Sequence, residues 1–466
     1  MTRDGDGDAV LDQAAVLAER IRKSSFVKVV THIDADGITA GAVASRALDR
    51  LGIDHEVAFL KSLRPEDADR LLDENPETLW FTDLGAGAAD RMLSAEPVIS
   101  DHHVPVARGT YHLNCHFMGE DGSRYLSGAT TTYLVARALS AANRDMAGVA
   151  LVGAVGDLQD VDDGRLAGMN RVVLEDARSH GHLTPLVDTR YFGRETRPLE
   201  KLLLFADDPC IPGVSGRVAA VNDFLASVGV AARAADDDAR RWVHLAHEER
   251  RRVLSAVAKS LLAKGFGARA VRRLVGEVYV LPGEAEGSPT RDAKEFATLL
   301  NGTARYGEAD VGLAVAKGDR GEAYEKALVL LRGHRQNLVA GIQHVRDQGL
   351  TEMEHLQWFH AGSAIRDTIV GIVAGMLYNG EGVRRDLPII AFADADDGKV
   401  KVSGRANRPL VAAGVDLSRV MREAAAAVGG AGGGHAPAAG ATIPKGREGD
   451  FLAAADRILG AQVRGA

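Results

Sequence analysis

A chain of 466 residues has room for two or three domains, and 46% hydrophobic with 26% charged residues is the composition of an ordinary folded protein. A net charge of −8 argues against a protein that coats duplex nucleic acid along its whole surface but leaves a local basic groove open, and 5% aromatic residues exclude widespread base stacking. No apolar run approaches the length of a membrane span, the acidic start (Asp4, Asp6, Asp8) does not read as a signal peptide, and two cysteines without a metal or disulfide pattern suit a reducing cytoplasm.

Residues 9–23 have helical apolar spacing (Val10, Leu11, Ala14, Leu17, Ala18, Ile21). Val27 to Val30 then reads as a buried strand that runs into Thr31-His32-Ile33-Asp34-Ala35-Asp36-Gly37, and an Ala-rich helix follows to Leu51. Glu56 to Leu60 fits a second strand and Pro65 to Asp73 a short helix. Leu79 to Thr82 is an apolar strand ending in Asp83-Leu84-Gly85, and Pro97 to Ser100 repeats the arrangement before Asp101-His102-His103. A helix reads from Thr130 to Ala142, and Gly128-Ala129-Thr130-Thr131-Thr132 at its start suits capping it better than offering amides to phosphate. Ala147 to Val155 is apolar enough to be buried and stops at Gly156-Asp157. Alternating strands and helices imply parallel βαβ units.

Four apolar segments thus each finish in an acidic or histidine-containing turn. In a parallel sheet such ends share one edge, where His32, Asp34, Asp36, Asp83, Asp101, His102, His103 and Asp157 can converge. Unrelated helix caps would explain the aspartates, but not two adjacent histidines behind a third one. Carboxylates and imidazoles without thiolate suit Mn²⁺ or Mg²⁺, and the histidines favour Mn²⁺. Two such ions about 3.5–4 Å apart can brace both the attacking and the leaving oxygen of a phosphodiester.

Farther on, Asp236 to Lys264 reads as a long basic helix (Arg240, Arg241, Arg250, Arg251, Arg252, Lys259, Lys264), with the charge continuing through Arg269, Arg272 and Arg273. Such a run is equally a solvated face or a track for the backbone of a single strand. A new α/β pattern begins at Glu277: strand Val278 to Leu281, helix Lys294 to Thr303, strand Val311 to Val315, helix Gly321 to Asp347, and strands Leu387 to Phe392 and Val400 to Arg405. The glycine run before His435 permits close backbone approach, and its successive amides suit an anion. The expected architecture is α/β: a parallel-sheet catalytic domain over 1–185, a helical connector over 186–276 and a second, smaller α/β domain over 277–466.

His-Ile-Asp-Ala-Asp-Gly (32–37), Thr-Asp-Leu-Gly (82–85), Ser-Asp-His-His (100–103) and Val-Gly-Asp (155–157) resemble motifs one to four of the DHH phosphoesterase superfamily. Ser403-Gly404-Arg405, the glycines up to His435 and Ala438-Ala439-Gly440 resemble its DHH-associated substrate domain. Phe296 to Arg305 and Asp208-Pro209-Cys210-Ile211-Pro212-Gly213 are similar to archaeal RecJ-like nucleases. The resemblance implies one ion on His32 and Asp34, a second on Asp36, His102 and Asp157, and Asp83 shared by both. Asp101 would orient the imidazoles, leaving His103 for the scissile phosphate or the leaving oxygen, or for a structural hydrogen bond. Arg405, Gly432, Gly433, Gly434 and His435 would hold substrate phosphate, with Asn301, Arg305 and Asn407 as neighbours. The activity implied is exonucleolytic release of mononucleotides from single-stranded DNA or RNA, in DNA replication, repair or RNA turnover. Hydrolysis of short oligonucleotides or cyclic dinucleotides is the enzymatic alternative. A replisome-associated binding component with a GINS-type partner is the alternative of another class.

Overall fold

The computed structural model describes residues 4–378, 383–395 and 398–464. The chain divides into two compact units, Met1–Leu331 and Arg332–Ala466. In the first, helix α1 (Asp4–Arg22) leads to β1 (Phe26–His32), α2 (Ala35–Leu51), β2 (Asp54–Leu60), α3 (Pro65–Asp73), β3 (Leu79–Thr82), α4 (Ala89–Met92), β4 (Val98–Ser100) and β5 (His112–Leu113). The strands form one parallel sheet in the order β2-β1-β3-β4-β5. Both faces are covered, so its strands are apolar without alternation. Val27, Val29, Trp80 and Val98 join one core, while Val30, Phe81 and Ile99 join another with α3 and α4 residues Ala68, Leu71, Ala89 and Met92. The sheet order reverses between β1 and β3, and open α/β sheets bind ligands beyond the carboxyl ends of strands at such a point.

Helices α5 (Gly128–Leu139), α6 (Ala147–Gly156) and α7 (Asn170–Ser179) follow, and α2, α5 and α6 pack on one another. The fourth apolar segment is therefore a buried helix, not a strand. Its sequence is apolar all round and shows no period, and its ten residues suit a helix better than a strand.

β6 (Thr184–Thr189) pairs antiparallel with β7 (Val275–Val280), and between them lie α8 (Leu199–Leu204), α9 (Val218–Ser227), α10 (His247–Ala263) and α11 (Gly267–Leu274). This insertion has its own core, including Leu199, Leu202, Trp242, Val253, Val257 and Leu261. The long basic helix expected from Asp236 starts only at His247, because Trp242 turns inward and its indole donates to Asp188 Oδ1 at 3.0 Å. Much of the basic run is paired: Arg240 with Glu249, Arg250 with Asp188, Arg251 with Glu248 and Arg273 with Asp208.

After β7 come α12 (Ala293–Arg305) and α13 (Ala309–Ala316), which pack on α2. Two expectations change here. Val311 to Val315 is helical, and residues 277–331 belong to the first unit rather than to the carboxyl-terminal one, because Phe296, Leu299, Leu300 and Val315 join the core of α2 and α6.

Helix α14 (Glu322–Gln348) leads to the second unit: β8 (Thr351–Glu352), β9 (Gln357–His360), α15 (Asp367–Tyr378), β10 (Ile389–Asp394), β11 (Lys399–Arg405), α16 (Arg408–Ala412), α17 (Leu417–Ala427), β12 (Ala431–His435), β13 (Ala438–Pro444) and α18 (Glu448–Arg464). The strands form a six-stranded sheet, β12-β13-β11-β10-β9-β8. Ile390, Phe392, Val400 and Val402 face α17 and α18, while Ile389, Ala391 and Ala393 join a core with α15. Period-two alternation between two covered faces is why this stretch reads as one apolar run.

Candidate metal centre

Strand register brings the acidic turns together. Thr31 pairs with Thr82 and Thr82 with Ser100, which sets the segments that start at His32, Asp83 and Asp101 side by side. Asp34 caps α2 by accepting from Gly37 N (3.0 Å), and its other oxygen lies 3.0 Å from His32 Nδ1. Asp36, in the first turn, accepts from the first two amides of α5, Gly128 N (2.6 Å) and Ala129 N (3.1 Å), at the positive end of that helix. Asp83 is 2% exposed and takes a left-handed φ of 58°. A β-carbon at position 128 would overlap its carboxylate, so only glycine fits there.

Asp101 holds both histidines. One oxygen accepts from His102 N (2.7 Å), His103 N (3.2 Å) and His103 Nδ1 (2.8 Å), and the other from Ala86 N (2.9 Å). His103 is half-exposed. His102 Nδ1 lies 2.8 Å from Gly122 O, a pure acceptor, so Nδ1 carries a proton and Nε2 is the nitrogen turned toward the carboxylates. That nitrogen is 3.2 Å from Asp83 Oδ1 and 3.7 Å from both Asp36 Oδ2 and Asp157 Oδ2. Asp157 stands at the carboxyl end of α6.

The electrostatics are those of a place short of positive charge. Burial, with the charges of Asp36 and Asp34, pushes Asp83 well above the usual carboxylate range and Asp157 up to about 6; burial also raises Asp36. Burial opposes protonation of His32, but Asp34 and Asp83 outweigh it and raise the imidazole to about 9. His32 in turn overcomes burial to hold Asp34 at about 2. Burial is likewise overcome at Asp101, which His103 and His102 keep below its ordinary range.

Asp83 Oδ1 is buried and receives no hydrogen bond, although His102 Nε2 is so close. An oxygen and an imidazole nitrogen about 3 Å apart have the spacing of two neighbouring ligands of one octahedral ion about 2.1 Å away. Oxygen and imidazole donors without sulfur fit Mn²⁺ or Mg²⁺. At this sheet edge, among the described residues, three sets of donor atoms lie within 4.8 Å of one another: His32/Asp34/Asp83, Asp36/His102/Asp157 and Asp83/Asp101/His102/His103.

The remaining predicted residues are placed differently from one another. Asn301 and Arg305 lie on α12, in the first unit. Asn301 Oδ1 accepts from Ala35 N (3.0 Å), between the two aspartates of the first motif. Arg305 is largely buried, and the charge of Asp34 only partly offsets the depression of its pKa by burial. Both thus lie beside the first motif within the first unit, while Arg405 belongs to the second. In that unit Arg405, Ala438 and His435 share one register across β11, β13 and β12. Gly432, Gly433 and Gly434 lie in an edge strand, where Gly432 lets the carbonyl of Met421 on α17 approach. Asn407 caps α16. The cap of α5 is Ser127, and the Gly128 and Ala129 amides serve Asp36. A capping role for 128–132 does not foretell the reach of these amides to Asp36, and nothing around Gly122 foretells its contact with His102; neither contact has a local pattern.

Residues 191–275 match the DHH-CID domain family and residues 356–461 the DHHA1 domain family. An uncharacterized protein of Methanocaldococcus jannaschii is 26% identical over 461 residues, covering 97% of each chain. Among solved structures, RecJ from Thermus thermophilus in complex with Mn²⁺ matches 97% of this chain at a TM-score of 0.57 and 18% identity, and this chain spans 55% of that protein. Another exonuclease RecJ bound to manganese matches with a TM-score of 0.54 and 19% identity, over 97% of this chain and 94% of that one. Cdc45 from Entamoeba histolytica matches with a TM-score of 0.66 and 13% identity, over 97% and 99%. The chain thus carries a DHH-CID domain over residues 191–275 and a DHHA1 domain over 356–461, on a fold it shares with the RecJ structures.

Proposed function

We propose that this protein is a metal-dependent phosphodiesterase that releases mononucleotides from single-stranded DNA or RNA. The observation that carries the reading is Asp83, with one oxygen 3.7 Å from His32 and the other 3.2 Å from His102, so that each faces a different ligand set. His32 and Asp34 would hold one divalent ion, Asp36, His102 and Asp157 the other, and Asp83 both. The manganese bound in two RecJ relatives supports Mn²⁺, with Mg²⁺ as the alternative. Bound there, such ions supply Lewis acidity at a scissile phosphate.

The chain's own groups do the rest. Asp101 fixes the ring of His103, whose exposed side can then hydrogen-bond a phosphate or leaving oxygen. Arg305 adds a cation at the metal loop. In the second unit, Arg405 has no carboxylate partner among the described residues and is held down by burial, so a substrate phosphate would be its counter-ion, with His435 in the same register.

The test is purified protein with Mn²⁺ and end-labelled single strands of DNA and RNA, two to about thirty nucleotides long, beside Asp83→Ala. Stepwise digestion of long strands by wild type alone is expected. Cleavage confined to dimers and trimers would move the assignment to a short-oligonucleotide phosphodiesterase. A second reading, a binding component of replication machinery with a GINS-type partner, draws support from the likeness to Cdc45 over 99% of that chain. Folded, metal-loaded protein that cleaves nothing would favour it.

A further inference from the structure

The carboxyl end of α6 carries an anomaly beside the metal centre. Leu158 takes a φ of 60°; the other non-glycine residues with left-handed φ among the described residues are Asn75, Asp83, Glu96 and Asp237, so Leu158 is the only apolar one. The turn is an ordinary helix ending, with Leu158 N bonded to Val155 O (3.1 Å) and Gln159 N to Ala154 O (3.1 Å). That position normally takes glycine, because a left-handed L-residue crowds its own β-carbon against the backbone. Burial does not compensate, since Leu158 is 61% exposed.

Its neighbours are locked. Asp157 faces His102. Gln159 Nε2 donates to Gly122 O (2.9 Å) and Leu126 O (3.1 Å), and Gln159 Oε1 accepts from Asn170 (2.7 Å). Asp160 pairs with Arg190 at 2.9 Å. The carbonyl that Gln159 grips is also the one that sets the His102 ring. Residue 158 is therefore presented to solvent by a rigid frame, one residue from a ligand candidate. Strain that the folded chain does not offset, at such a place, points to a contact made only with substrate.

We infer that Leu158 is a substrate-positioning residue whose side chain packs against the nucleobase next to the scissile phosphate. This rests on the phosphodiesterase reading. The surrounding carboxylates leave no other apolar role for substrate than the face of a base, and an aliphatic side chain accepts every base face alike, as an enzyme that removes successive nucleotides requires.

The experiment compares single strands that carry a normal base or an abasic nucleotide at the terminal or the penultimate position, using wild type, Leu158→Gly and Leu158→Asn. Both variants tolerate the left-handed backbone. Wild type should cleave one of the two abasic strands about tenfold less efficiently than the normal strand. Both variants should lose that discrimination while melting at the same or a higher temperature. Retained discrimination in the variants, or a clearly lower melting temperature for Leu158→Gly, would overturn the inference. So would wild type that ignores the missing base while still digesting strands, which leaves the phosphodiesterase reading standing. Wild type that cleaves no strand would overturn both.

Discussion

Two places in the first unit bury many charges, and they do so differently. At the neck of the insertion, Arg194 pairs with Asp188 (2.8 Å) and Asp292 (3.0 Å), Arg250 with Asp188 (3.1 Å) and Arg190 with Asp160 (2.9 Å). At the metal centre, five aspartates meet three histidines, and Asp36, Asp83 and Asp157 are all pushed up. A buried charge with its partner is architecture; a buried surplus of one sign suits a ligand of the other. The contrast matters more than either site alone, because counting buried ions would rank the two places together.

The widest separation should come from Asp83. Asp83→Ala is expected to lower strand cleavage at least about a thousandfold. Asp83→Asn should also make the metal-free protein more stable, since it removes a mutually repelling carboxylate. At a hundredfold excess over Kd, Mn²⁺ should stabilise wild type by about 2.7 kcal/mol and the variant far less. Melting curves with and without Mn²⁺ check both signs. Arg194→Met should do the reverse of Asp83→Asn: it leaves buried Asp292 without its cation and Asp188 with Arg250 alone, and should destabilise by about 3–5 kcal/mol in denaturant titration.

Glu295 tests the boundary between the two cases. It is buried, accepts from Glu195 N and Thr196 Oγ1, and is raised to about 7 by burial and by the Asp292 and Glu195 charges. The folded state thus holds its proton more tightly than the unfolded state does. Its contribution is most favourable below the unfolded value near 4.5 and is lost as pH rises through about 7. Glu295→Gln should flatten that decline in stability between those values, measured by melting temperature against pH. The smallest effect is expected at Asn301→Ala, which frees the Ala35 amide: about 1 kcal/mol of stability and about a tenfold loss of Mn²⁺ affinity by titration. An unchanged affinity would mean that α12 does not position the loop.

What the sequence revealed follows from how local each signal was. Val27 to Asp36, Leu79 to Asp83 and Val98 to His103 each hold strand and acidic turn within about ten residues, so both the fold class and the candidate cluster at the sheet edge were legible. Ala147 to Gly156 and Ala309 to Ala316 were not, since residues apolar on every side carry no period. The Asn301 contact to Ala35 spans 266 residues, and the Gly128 and Ala129 amides reach back 92 and 93 to Asp36. Such contacts are set by packing of α12 and α5 on α2, which no short window contains. The pairing of Arg240, Arg250 and Arg251 was equally hidden, because a run of cations does not declare its counter-ions.

The β6–β7 ladder has a consequence for how this chain can change. Thr189 and Val275 face each other in register, so the two ends of the insertion leave this ladder about 5 Å apart. A segment held by so narrow a stalk can lengthen, shrink or exchange its surface while the strands that aim the aspartates keep their places. The chain thereby separates a part free to diversify from a part that geometry forbids to move.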